Sequence, residues 1–456
     1  MGGTFTSYNK VRAGAYFNFK SVPRPMIQVG DRGIATIPLE LSWGNTGTLI
    51  EVFSDELLNG DSLAKVGFTA FDSDSKILNL MLQNCYKVLV YRTNTGGTKA
   101  TATLTSGEQV EGVYPNTLTI TAKYKGTFGN SIIISVVANG VLFDVSTFVN
   151  GSQKDKQTVA TVSELENNNF VDFEGTGVPT LSAGISLTGG TNGTSVAKAT
   201  YYPLYLALLE TAKYQTIACP DLIDEDTTLK ANIVTFVRNQ RDEQGRYIQG
   251  VIANYPAANI EGIISVKNGL VVNNVNFTKE ETTAIVAAMT AGAEINESNT
   301  NKVVVGATDL IGKYTNSQII DALNNGEFLF TANSRGEIKV EKDINSLHTF
   351  TQEKNYAFSK NRVIRVLDEI GTSIQDIWEQ SYMGKQNNDT DGRDIFKGDV
   401  IAYFTELQRI GAIQNFGGAD DIEIVQGSDL DTVIVNAWIQ PTDSMERLYF
   451  TVNVIG

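Results

Sequence analysis

The hydrophobic period changes within the last hundred residues, and that change constrains the fold more than any other feature. Val363, Val366, Leu367, Ile370, Ile374, Ile377 and Trp378 recur at spacings of three and four, which predicts one face of an amphipathic helix. After a turn, Phe396, Val400, Phe404, Leu407 and Ile410 repeat the period and predict a second helix. The period then becomes two. Leu448, Phe450, Val452 and Val454 fall on one side of an extended chain, and Arg447, Tyr449, Thr451 and Asn453 on the other. This predicts a strand running almost to Gly456. Backbone groups of a strand need a ladder partner, in the same chain or in a neighbour's, and the pattern leaves both open.

A chain of 456 residues is long enough for about two to four domains, each with its own core. With 42% apolar and 19% charged residues it is globular rather than disordered. The net charge of -15 argues against nucleic acid as a direct partner, because phosphate binding needs a basic surface. No apolar run reaches membrane-spanning length, so no membrane insertion is expected. The first ten residues have no apolar h-region and do not read as a secretory signal. Cys85 and Cys219, each in apolar surroundings, read as reduced core cysteines of a protein folded in cytoplasm.

In chain order, residues 1–25 carry Lys10, Arg12, Lys20 and Arg24 and no acid. Ala15, Phe17 and Phe19 alternate there with Tyr16, Asn18 and Lys20, either an edge-seeking strand or an ordinary first strand. From Met26 to about Thr93 the pattern is α/β. Ile37, Leu39, Leu41 and Trp43 alternate as a strand, Ser73 or Asp74 would cap a helix over 76–85, and 87–91 follows as a strand. Short strands separated by Gly, Asn and Thr fill 96–193, which predicts an inserted β-sandwich bounded by Gly-rich joints at 95–97 and 189–193. The α/β pattern then returns. Helices are expected over 196–213 (with Pro203 as a break or first-turn residue), 228–239, 279–289 and 316–324. Strands are expected over 216–219, 247–255, 327–331 and 337–341, together implying a mostly parallel sheet covered by helices.

No constellation of residues points to catalysis, a metal or a cofactor. Gly306 to Lys313 resembles a phosphate-binding loop but has five residues between its glycines, and Tyr314 sits where Ser or Thr should hold magnesium. Asn387 to Gly392 resembles the start of a calcium loop, but Gly398 stands at the twelfth position where a bidentate Glu is needed, so a polar surface loop is the reading. His348 is the sole histidine and reads as a satisfied strand-end or surface residue. Asp224, Glu225, Asp226, Asp420 and Asp421 read as solvated loop charges.

Several stretches together resemble the contractile tail sheath proteins of bacteriophages and of phage-tail-like bacteriocins and injection systems. They are Val340 to Thr351, with Asp343 and Asn345; Phe358 to Glu369, with Arg362, Arg365 and Asp368; Gly411 to Asn415; and Ile439 to Tyr449. Asn9 to Tyr16 is similar to the family's leader, although Ala13 stands where Pro is common and His348 where Thr is common. The resemblance covers most of the chain and is loosest in the β insertion.

The resemblance implies an α+β, multidomain chain. It would have an N-terminal extended arm at 1–25, an α/β core at 26–94 and 195–345, and an inserted, outward β-sandwich at 95–194. An inner C-terminal α+β domain at 346–440 would face the tube and be completed by strands exchanged between subunits, with a C-terminal strand or arm at 441–456. It further implies a non-enzymatic subunit that stacks as hexameric rings around an inner tube and contracts. Partners would be further copies of itself, the tube protein, and baseplate and tail terminator proteins, in a virion tail or tail-like particle assembled in the host cytoplasm. Arg12, Tyr16, Phe17 and Phe19 would be the N-terminal contacts. Arg447, Leu448, Tyr449, Phe450, Val452 and Val454 would be the C-terminal contacts, and Arg362, Arg365, Asp368 and Trp378 the inner-domain helix. Two other classes stay open on the residues alone: a non-contractile virion component, such as a tube or decoration protein, and an α/β enzyme with a binding module.

Overall fold

The computed structural model describes residues 2–3, 15–16, 32–109 and 114–455, the first two pairs by backbone alone. The chain divides into two compact units, Asp31–Glu369 with Pro441–Gly456 and Ile370–Gln440 with Met1–Gly30. This division falls inside the first amphipathic helix, Asn361–Ile377, and so keeps 346–369 with the larger unit, whereas the sequence reading starts the C-terminal domain at 346.

A seven-stranded sheet centres the larger unit. Its order is Glu327–Phe328, Ile263–Val266, Gln249–Ala253, Thr216–Ala218, Ile34–Leu39, Lys87–Arg92 and Leu49–Phe53. All neighbours pair in parallel except the last two, which are antiparallel. The parallel strands are apolar on both faces, as burial between two helical layers requires. Ala35, Ile37, Val88 and Val90 pack with the helices Lys76–Leu82 and Lys279–Gly292. Ile34, Leu89 and Tyr91 face the other way, onto Lys198–Leu209 and Thr227–Asp242. The Ala-rich helix Lys279–Gly292 starts from a capping box, Thr278 with Glu281, and is buried from Thr282 to Ala291.

Three local expectations change. The first strand ends at Leu39, so Leu41 and Trp43 do not extend it. A 3₁₀ turn, Ser73–Ser75, precedes Lys76–Leu82, and Ser75 rather than Ser73 or Asp74 holds the N-cap position. Pro203 lies within an unbroken helix, where burial of Tyr201, Tyr202, Tyr205 and Leu209 offsets the lost backbone bond. The Tyr202 hydroxyl donates to Asp221 at 2.6 Å, and the Tyr205 hydroxyl to Thr36 at 2.6 Å.

Two antiparallel sheets form the sandwich. One has the order Ser152–Val159, Leu142–Val149, Ile132–Asn139 and Ser182–Ser186; the other is Val171–Thr176, Asn116–Lys125 and Lys99–Ser106. Alternate residues, among them Leu118, Ile120, Ala122, Ile132, Ile134 and Val136, share one core. Trp43 joins that core instead of the strand. Its Nε1 donates to the Ala64 carbonyl at 3.0 Å, and its ring meets Tyr124 edge-on at 5.2 Å. The Gly-rich joints run side by side, Asn94–Gly96 against Gly193–Ser195. A Cβ on Gly97 would lie 2.0 Å from the Thr191 carbonyl oxygen, so the close approach requires glycine.

In the smaller unit, the helix ending at Ile377 continues as a π-helical turn, Trp378–Tyr382, before the helix Thr390–Arg409. Asp389 caps the latter by accepting from the Gly392 amide at 2.8 Å, which accounts for the calcium-loop resemblance. Phe396, Val400, Phe404 and Leu407 are buried as the period predicts, while Ile410 is half-buried at the C-cap. A hairpin, Ile422–Gln426 with Val433–Ala437, follows.

Candidate assembly surfaces

The predicted C-terminal strand is not a strand in the isolated chain. No ladder forms over 442–455, and both sides of the alternating pattern stand in solvent: Leu448 is 86% exposed and Tyr449 87%. Phe450, Val452, Val454 and Ile455 are exposed too, as is Arg447. The reason is physical: alternation supplies a face, whereas a strand also needs a partner edge. Of the N-terminal residues, Arg12, Phe17 and Phe19 lie outside the described residues. Tyr16 is described by its backbone, which pairs with Gly3 in a short parallel ladder, Gly2–Gly3 with Ala15–Tyr16.

Within the smaller unit, the hairpin Ile422–Gln426/Val433–Ala437 is a sheet of two strands, so among the described residues each strand has one unpaired edge. Val425, Ile434, Val435 and Trp438 on it are exposed. Beside it lies a groove of about 550 Å³ lined by Trp378, Tyr382, Arg393, Phe396, Leu430 and Val433. Trp378 stacks on Tyr382 at 6.0 Å and meets Phe396 edge-on at 5.2 Å.

The charged helix residues are anchored within the larger unit. Arg365 is fully buried; its Nη2 donates to Asp343 at 2.9 Å and to the Glu297 carbonyl at 2.9 Å. Asp343 also accepts from the Asn361 side chain at 2.9 Å and the Asn299 amide at 3.0 Å. Asp368 receives both Arg241 terminal nitrogens, at 2.9 and 2.6 Å. Burial pulls the Arg241 pKa down, but the Asp368 carboxylate outweighs it and the net shift is upward. Arg32 sits near this cluster, and burial, with the charge of Arg365, lowers its pKa to about 10. Arg362 is half-buried, with no partner for its Nε among the described residues; burial lowers its pKa against the pull of Asp443.

Sequence reasoning missed a second set of residues, at the root of the tail. The Lys360 ammonium, 3% exposed, pairs with Glu446 and lies 3.5 Å from Asp443. The Thr300 hydroxyl donates to Glu446 at 2.8 Å and accepts from the Asp343 amide at 2.9 Å. Lys360 and Glu446 lie in the quoted motifs, but nothing local shows that residues 86 positions apart meet.

The remaining candidates have structural roles. Ala307–Ile311, inside the phosphate-loop resemblance, is a strand paired antiparallel with Gly269–Val272, so its backbone amides serve a ladder. His348 Nδ1 lies 2.9 Å from the Ser346 carbonyl, and its backbone amide donates to Asn259 at 3.0 Å. Asp224 and Asp226 are not merely solvated: from the loop before Thr227–Asp242 they pair with Lys279 and Lys198, the first residues of two other helices. Cys85 and Cys219 are buried free thiols; burial raises Cys85 to about 12 and Cys219 higher still. Among the described residues no group of three or more His, Cys, Asp or Glu could hold a metal, and no helix is long and apolar enough to cross a membrane.

Three family models match in succession: the phage tail sheath protein beta-sandwich domain over 95–192, the central domain over 195–346 and the C-terminal domain over 353–455. The phage-like element PBSX protein XkdK of Bacillus subtilis (strain 168) is 36% identical, with 99% of each chain covered. The chain belongs to the phage tail sheath family. The sheath tail protein of Desulfitobacterium hafniense is 41% identical and superposes with a TM-score of 0.78 over 96% of this chain and 99% of that one. At 11% identity, the helical sheath of the anti-feeding prophage in its contracted state shares the fold, with a TM-score of 0.55 over 98% of this chain and 99% of that one. This is thus a structural tail sheath protein of a phage tail or tail-like particle, with the α+β, multidomain architecture that the sequence implies.

Proposed function

We propose that this sheath protein polymerises as stacked hexameric rings around an inner tube and contracts from a metastable extended state, driving the tube through a cell envelope. The observation that carries the reading is the exposed apolar tail after Glu446, together with a two-stranded hairpin that, among the described residues, leaves one edge of each strand open. Each lacks what the other supplies. The tail of one copy would add a strand to the hairpin of another, and the leader, with Arg12, Tyr16, Phe17 and Phe19, would do the same for a further copy. Such contacts are heterologous and propagate rather than close, as a helical array requires. About fifteen extended residues span roughly 50 Å, enough to reach an adjacent subunit. In this arrangement Ile370–Gln440 lies against the tube, the sandwich faces outward, and the bodies move largely as rigid units while the arms keep the lattice connected. The energy is stored at assembly, so no nucleotide is consumed. The tube, baseplate and terminator proteins are the expected further partners, met in the host cytoplasm.

Negative-stain microscopy of the purified protein across a concentration series tests this directly. Hollow striated cylinders are expected from the full chain. Deleting residues 1–19 should leave a folded monomer that forms none. Normal cylinders from that deletion would sink the arm reading.

A further inference from the structure

The tail's root is held against the body by Lys360 and Thr300. Lys360 is fixed in place: its carbonyl accepts from the Ile364 amide at 3.0 Å at the start of Asn361–Ile377, and its backbone bridges to Ile344. Its buried ammonium therefore marks a defined point, and Glu446 is brought to that point by Lys360 and Thr300 together. Up to Glu446 the tail is at least partly covered at Thr442, Ser444 and Glu446; from Arg447 onward every described residue is exposed. A buried ammonium needs a partner, and here both carboxylates within reach, Glu446 in contact and Asp443 at 3.5 Å, belong to the tail root, so the charge holds residues 443–446 in place.

The side-chain period of a strand is two. Once the tail is extended, Leu448, Phe450, Val452 and Val454 share the parity of Glu446, and Arg447, Tyr449, Thr451 and Asn453 the opposite one. Holding Glu446 thus decides which face of the emerging strand is apolar when it reaches its acceptor. We infer that Lys360, with Thr300, is a positioning residue whose clasp on Glu446 sets the exit point and facing of the tail for docking on a second copy of this chain. The inference rests on the arm reading proposed above and adds to it the residue that determines register.

Five variants of the full-length protein separate the two ideas: K360M, E446Q, one alanine or two alanines inserted between Glu446 and Arg447, and deletion of 447–456. Thermal melting and hydrogen exchange check folding, while sedimentation with microscopy reads the critical concentration for polymerisation. K360M and E446Q should raise that concentration at least about tenfold. One alanine, which leaves the clasp intact and reverses the faces, should abolish polymerisation; two alanines should restore it to within a few-fold of wild type. A role confined to body stability would not produce that odd–even alternation. If the one- and two-residue insertions behave alike, or K360M assembles at the wild-type concentration, the clasp is overturned. If the deletion itself polymerises normally, the arm reading falls instead.

Discussion

Arg365 and Asp343 show what a single pair of residues contributes here. Both are essentially fully buried, at 0% and 1% side-chain exposure, and Asp343 satisfies three donors at once. Asp343→Ala would leave a guanidinium in the interior with, among the described residues, the Glu297 carbonyl as its one remaining partner, and should destabilise the protein by about 3–5 kcal/mol in urea unfolding. Replacing both partners with Asp343→Leu and Arg365→Met should recover only the part of that loss due to the stranded charge, because the Asn361 side chain and the Asn299 amide still lose their acceptor. Arg365 and Asp368 were legible in the sequence as residues of a motif. Their partners were legible to different degrees: Asp343 lies in a neighbouring motif, whereas Arg241 sits in an ordinary helix 127 positions from Asp368.

At the scale of elements, local periodicity carries far. The helix Asn316–Asn324 begins and ends as the pattern indicates, from a Thr315–Gln318 capping box. The short strands between 99 and 149 are readable as sandwich strands too, whereas Ser152–Val159 and Val171–Thr176 do not stand out from the pattern. What the pattern misses is where an element stops. Trp43 has the alternation of a strand residue and yet packs into the sandwich core, where its ring meets Tyr124 and Phe128. The joint between core and sandwich gives a sharp test. Gly193 has φ +76° and a would-be Cβ 1.9 Å from the Thr95 carbonyl oxygen. Gly193→Ala should therefore cost more than about 1 kcal/mol in thermal unfolding, while Gly140→Ala at an open hairpin tip should cost less despite its own positive φ.

For the whole molecule, charge is distributed unevenly along the chain. Residues 1–30 carry four basic side chains and no acid, whereas Ile370–Gln440 carries twelve acids against four bases. If leaders of one copy dock on that unit of another, attraction should steer the encounter and salt should weaken it. Raising sodium chloride from about 0.05 to about 0.5 M should slow the growth of cylinders roughly tenfold, as read by light scattering. A growth rate indifferent to salt would mean that apolar strand addition alone drives docking.

The sequence by itself determined the periods, the turns, the buried cysteines and the motifs that place the chain in its family, all properties of residues near one another along the chain. Only the tertiary structure decided that the tail emerges exposed, that Trp43 serves the sandwich and that Lys360 meets Glu446. Pairing depends on what lies across space, and a period records only which side of an element is apolar, never what will cover it.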